Sequence, residues 1–296
     1  MRRNARASVC CILWIAPLAA QSLDDLLKDP GQGWTLYSRT QGSSNQAGVV
    51  TKLDTNAGYN FNQYFGVDFG VPVYFVYPSI GKATSILGTH QRDGLGNVYL
   101  DLRFTLTRPI VDFVTYATVA APTGDRKEGF STGRVTWDWH NHFYRTFGRL
   151  TPFANAGLAD TILDSPFYLR PFSSLGLIGH FEGGATFNFW RDVSVGSSFY
   201  AIVPSANQQV ISKLSGKETT IQKGSTLGQI FEIPSQPTLG PDSVRDQGFS
   251  LWCEAAATSF LDLDIGYSHS MQYSLDSLFF GVGLNWKTLY QKTRGH

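Results

Sequence analysis

The sequence predicts an all-β chain: a transmembrane, up-and-down antiparallel β-barrel of about 12 strands that follows a cleaved signal peptide. Three observations predict it. Hydrophobicity alternates with period two in segment after segment, short and long connections take turns between those segments, and the N-terminus carries an export signal.

The export signal comes first in the chain. Arg2, Arg3 and Arg6 precede an apolar stretch at 7–18 (ASVCCILWIAPL), and small Ala19 and Ala20 follow. That stretch is too short for a spanning helix, which needs about 20 residues. The expected organisation is a signal peptide at 1–20, a short periplasmic segment at 21–32, a barrel at 33–290 with a long external loop at 204–247, and a tail at 291–296. Within the second segment, 22–28 (SLDDLLK) reads as a helix capped by Ser22 and stopped before Pro30. Cys10 and Cys11 leave with the signal, so Cys253 remains alone and forms no intramolecular disulfide.

Composition fits a membrane wall better than a soluble core. Charged residues make up 16% of the chain, against about 25% in soluble domains. Aromatics reach 14%, and 30 glycines are spread along the sequence. A formal net charge of +1 offers no basic surface for nucleic acid. After the signal no apolar run approaches about 18 residues, which excludes a helical span.

The alternating segments centre on Leu36, Leu53, Val71, Leu102, Thr115, Trp137, Ala154, Ala185, Ser197, Cys253, Ile265 and Val282. The pattern is plain in Val98, Leu100, Leu102, Phe104 and Leu106, which face away from Tyr99, Asp101, Arg103 and Thr105. It is plain again in Leu278, Phe280, Val282, Leu284 and Trp286. The first segment is the weakest, since 33–39 barely alternates. The connections at 60–64, 107–109, 145–149, 191–192 and 259–260 are short, and those at 78–95, 122–132, 161–175 and 204–247 are long. Such asymmetry separates the periplasmic from the external end of a bacterial barrel. Outward aromatics beside the short turns are Tyr59, Phe65, Phe143, Phe189 and Trp286, an interfacial girdle. Inside the longest loop, 209–214 and 218–222 read as a hairpin.

If the apolar faces meet lipid, the lumen receives Lys52, Asp54, Asp68, Asp101, Arg103, Asp112, Asp138, His140, His180, Glu182, Glu254, Asp262 and Asp264. Nine acids stand against two bases there, which predicts a cation-favouring lumen with Asp262 and Asp264 as its filter. His140 and His142 share one strand face, as do His180 and Glu182, and spacing of two directs side chains to one side. The sequence supplies no further ligand at fixed spacing, so no metal, cofactor or catalytic residue is assigned. His269 and Ser270 are adjacent on a strand and point to opposite faces, which prevents a direct nucleophile–base contact.

The segment 121–133 (APTGDRKEGFSTG) carries a step of Pro122, Thr123, Gly124 and Asp125, closed by Gly133. With the chain length, the signal peptide and the strand pattern, it resembles the outer-membrane barrel family named for the MetA pathway of phenol degradation. The resemblance implies a barrel with a role in uptake of small, often aromatic, compounds. Gly281, Leu284 and Trp286 resemble the final-strand signal read by barrel-insertion machinery, although ten residues follow Trp286. The expected function is a channel or transporter for small solutes in the cell outer membrane, with membrane lipid and the assembly machinery as partners. The alternatives are a structural or adhesive surface barrel that binds through external loops, and an outer-membrane hydrolase of phospholipase type.

Overall fold

The structure, a computed structural model, describes residues 32–78, 91–162, 164–165, 169–190, 192–213 and 238–294. The expected signal peptide, the helix at 22–28 and the second arm of the loop hairpin lie outside the described residues.

The strands in chain order are β1 (Gly33–Asn45), β2 (Gly48–Asn60), β3 (Phe65–Pro78), β4 (Arg92–Leu95), β5 (Tyr99–Leu106), β6 (Asp112–Ala120), β7 (Thr136–Tyr144) and β8 (Leu150–Ala159). They continue with β9 (Phe172–Leu175), β10 (Ile178–Trp190), β11 (Val193–Pro204), β12 (Gln208–Ser212), β13 (Thr238–Leu239), β14 (Asp246–Thr258), β15 (Leu261–Ser270) and β16 (Leu275–Asn285). A C-terminal helix, α1, spans Trp286–Arg294. β3 pairs with β5 below and with β4 above a break at 96–98, so β4 and β5 act as one stave. The twelve staves pair antiparallel in sequence, and β1 on β16 closes the ring from Tyr37↔Asn285 to Asn45↔Ser277. Closure pairs the edges of β1 and β16 with each other, as a sheet in hydrocarbon requires, while β4 at the loop end pairs with β3 alone. Every predicted strand centre falls in a different stave.

The short turns lie at one end of the barrel and the long connections at the other. Asn62 tightens one short turn by accepting from the backbone N–H of Tyr64 at 2.8 Å and of Phe65 at 2.9 Å. The alternation of lengths is looser than the sequence suggested. Gln46 and Ala47 alone join β1 to β2, yet they sit at the loop end.

Period-two alternation sorts the wall into two faces. Phe69, Leu102, Trp139, Phe181, Phe199, Ile265 and Phe280 are among the large apolar side chains exposed on the outside. The five predicted girdle aromatics lie near the turn end. Trp34 and Trp190, each 72% exposed, join them and were not anticipated. On β1 the outward positions Ser38 and Gly42 are polar or bare, which is why this strand barely alternates. Neighbouring aromatics cover them: Phe280 lies over Gly42, and Trp286 Nε1 donates to Ser38 Oγ at 2.9 Å.

The barrel stops earlier than the sequence boundary at 290. β16 ends at Asn285, whose side chain caps α1 by accepting from the Thr288 N–H at 3.0 Å. Trp286 is therefore the first residue of a helix rather than the end of a strand.

At the loop end, β9, β12 and β13 form a separate three-stranded sheet. Two apolar clusters sit there. One gathers Ile162, Phe172, Ile178, Ile202, Val210, Val244, Tyr273 and Leu275, and the other gathers Val50, Val76, Phe130 and Leu169. Val50 and Val76 belong to the inner wall, so Phe130 and Leu169 reach it from the loops and pack inside the mouth.

Candidate functional site

The inner wall is built from staggered side chains that cross bare glycines. Asp262 and Asp264 on β15 lie beside Gly283 and Gly281 of β16, with β1 beyond. Over those glycines they meet Arg39, which donates from Nη1 to Asp262 Oδ2 at 2.8 Å and from Nη2 to Asp264 Oδ1. A Cβ at either glycine would collide with the carboxylates. Tyr37 donates its hydroxyl to Asp262 at 3.1 Å as well. The same device recurs when Tyr99 on β5 crosses Gly70 to reach Asp54 at 3.0 Å and Asn56 at 2.7 Å on β2.

All thirteen predicted lumen residues lie on the face opposite the exposed apolar ones. Their partners differ from the expectation. Lys52 Nζ is 3.4 Å from Asp54, Arg103 spans Asn60 and Asp68, Asp112 faces Arg145 at 3.9 Å, and Glu182 accepts from Asn155 at 3.0 Å. Ser194 donates to Glu254 at 3.3 Å. Asp262 and Asp264 do not stand free as an acidic filter: both are ion-paired to Arg39, a buried base that adds to Lys52 and Arg103. Its strand lacked an apolar outer face, so period-two reading gave Arg39 no side.

Aromatic rings also line this wall. Phe153 lies 5.9 Å from the His142 ring and 6.2 Å from that of Trp252, and Trp252 lies over Gly196. His142 points inward but bonds to Asn155 on β8 rather than converging on His140. His180 does converge: the rings of His140 and His180 stack at 5.5 Å, and His180 Nε2 is 2.8 Å from Asp138 Oδ1.

A second polar network crosses the mouth. Tyr74 on β3 donates to Asp164 at 3.0 Å, and Lys213 Nζ stands 3.6 Å from the same carboxylate. Lys213 also donates to the Arg170 carbonyl at 3.1 Å. Arg170 Nη1 reaches Asp246 on β14 at 2.9 Å, and Asp246 accepts further from Tyr200 at 3.1 Å and Ser270 at 2.6 Å. β3 and β14 stand five staves apart one way round the ring and seven the other, so the chain of contacts spans the opening. Burial pushes the Asp164 carboxyl up, but Lys213, Lys52, the Arg170 N–H and the Tyr74 hydroxyl outweigh it. The net pKa lies below the usual carboxylate value. Burial pulls the Lys213 ammonium down against the field of Asp164. The sequence placed these four charged groups in loops, where pattern assigns no direction.

The Pro122, Thr123, Gly124 and Asp125 step serves this mouth. Thr123 Oγ1 donates to the Gly96 carbonyl at 2.8 Å and accepts from the Val98 N–H at 2.9 Å, fastening the break between β4 and β5. Gly124 allows the carbonyls of Leu95 and Phe130 to approach, where a Cβ would lie 2.6 and 2.7 Å from them. Asp125 Oδ1 accepts from the Lys127 N–H at 2.7 Å, and its carbonyl accepts from the Phe130 N–H at 2.9 Å. The turn so formed delivers Phe130, which stacks on Tyr74 at 5.9 Å.

On the outer face His269 Nδ1 is 2.8 Å from Asp276 Oδ1. Ser268 and Ser270 face inward, to Ser250 and Asp246, so the pair has no serine beside it on its own strand.

No family model matches the chain, and no curated protein matches it in sequence. Its fold is similar to the crystal structure of an outer-membrane channel from Pseudomonas putida F1. The TM-score is 0.56 at 10% identity, over 88% of this chain and 98% of that one. The NanC porin overlaps less well, with a TM-score of 0.48 at 8% identity over 84% of this chain and 98% of its own. The KdgM porin in complex with disordered oligogalacturonate gives 0.47 at 7% identity with the same coverage. At such identities the likeness is one of fold, that of an outer-membrane β-barrel.

Proposed function

We propose that this chain is a channel for small solutes in the outer membrane, narrowed at its external mouth. The observation that carries the reading is the contrast between its faces: an exposed apolar exterior around a closed barrel lined by ionisable and aromatic side chains. Exposed apolar surface of this extent is tolerated in lipid and is a liability in water. Charged groups such as Glu182 and Lys52 need a hydrated or fully paired interior, and a solute path provides the first. The half-buried inward ring of Phe153, backed by Trp252, favours solutes with an apolar or aromatic part, in line with the resemblance to the phenol-degradation family. Export through a signal peptide and insertion through the last strand, β16, complete this reading.

The test is conductance of the refolded barrel in planar lipid bilayers. Discrete steps are expected, reduced in amplitude by millimolar benzoate or phenol if aromatic solutes enter. A heat-modifiable, correctly folded barrel that inserts and produces no steps would overturn the channel reading.

A further inference from the structure

Three potential ligands converge on one point of the inner wall where the sequence offered only paired histidines. Asp138 and His140 occupy successive inward positions of β7, and His180 comes from β10. One nitrogen or oxygen from each lies within 4.8 Å of the others. β8 runs between the two histidine strands, and its residue in register with both His140 and His180 is Gly157. The His180 imidazole lies in the space a side chain would fill there. Gly157 is thus a notch that lets a ring from one strand reach the ligands of another two staves away.

The donor set has a defined chemistry. Two imidazoles and one carboxylate suit borderline divalent ions such as zinc, which bind nitrogen at about 2.0–2.1 Å and leave a fourth position for water. Tetrahedral ligands at that radius stand about 3.4 Å apart, so modest turning of one ring brings this set to bonding distance. Asp101 and Thr118 lie on the same transverse row as Asp138, which places a second acid two staves away and favours a cation. The site sits directly below the mouth, because Asp138 is in register with Ala159 of the apolar cluster there.

We propose that Asp138, His140 and His180 form a divalent transition-metal site in the lumen wall, with zinc as the fitting ion. Binding requires that His180 exchange its hydrogen bond to Asp138 for the metal, after which both residues share one ion. The ion ties β7 to β10 across the notch. The site needs no solute passage, so it stands or falls separately from the channel reading.

The experiment uses the refolded, untagged full barrel in detergent, with zinc measured by calorimetry and cobalt(II) by its visible absorption. About one zinc per barrel is expected, together with the intense bands of four-coordinate cobalt. His140→Ala and His180→Ala each abolish both signals, while Asp138→Asn weakens binding roughly tenfold or more. Gly157→Ala, which keeps all three ligands but fills the notch, also weakens it. His142→Ala, one position along the same face, leaves it intact. Heat-modifiable migration verifies that each variant is folded, and variants that fail it are replaced by His140→Gln and His180→Gln. Absence of stoichiometric binding in the folded wild type, or binding that survives loss of both His140 and His180, would overturn the site.

Discussion

Arg39 shows what a single inward residue does to the reading of a lumen. Arg39 is 7% exposed, as are Asp262 and Asp264, and its single positive charge is shared between the two carboxylates that looked like an acidic filter. Neutralising those acids therefore acts on stability before selectivity. The Asp262→Asn, Asp264→Asn double variant leaves a buried cation without its counter-charges, a change that costs about 3–5 kcal/mol. Urea titration of the refolded barrel, followed by tryptophan fluorescence, should show that loss. Adding Arg39→Met should restore most of it, since removing a whole buried ion cluster is far cheaper than breaking it. A double variant as stable as wild type would mean that the carboxylates are solvated and available to mobile ions.

Elements were more legible than the contacts between them. The strand centres were readable because all the staves but β1 plainly separate lipid-facing from inward residues, and that contrast repeats every second position. Break, helix and mouth were not. β4 and β5 are one stave interrupted by a pinned break, α1 begins where the girdle pattern still continues, and the loop charges Asp164, Arg170 and Lys213, like Asp246 at the very start of β14, have no periodicity to place them. Pairs such as His140 and His180 depend on register across Gly157, which no single segment records. The mouth network also makes a prediction for the segment between β8 and β10. The Asp164 pKa is depressed, so its contribution is present above the unfolded carboxylate value of about 3.9 and is lost as pH falls through the lower folded value. Pepsin should therefore spare Leu169 and Phe172, both buried, above the ordinary carboxylate pKa and cut beside them only once the pH has fallen well below it. Asp164→Asn should move that cleavage up to the milder pH. Equal cleavage of both proteins across the range would show that the segment is held by its apolar contacts alone.

At the scale of the whole molecule the barrel is polar in the directional sense: its two ends are built differently. One has tight turns ringed by Trp34, Phe65, Phe189 and Trp190, and the other carries the extra sheet, two apolar clusters and the charged bar across the opening. Barrels of this type insert with short turns toward the periplasm and long loops outside. The termini add a second reason, because β1 begins and β16 ends at the turn end. A barrel inserted from the inner side would keep both strand ends there, with no need to thread either across the membrane. The orientation can be read with single cysteines in a Cys253→Ala background. Lys127→Cys and Gly240→Cys are exposed at the loop end, and Gly240 has open space for a side chain. Thr146→Cys and Arg149→Cys are exposed at the turn end. A membrane-impermeant maleimide applied to intact cells should label the first two and spare the second two, and lysis should make all four reactive. Labelling of Thr146→Cys in intact cells with Lys127→Cys protected would place the mouth network on the periplasmic side. The charged bar would then guard the exit of the lumen rather than its entrance.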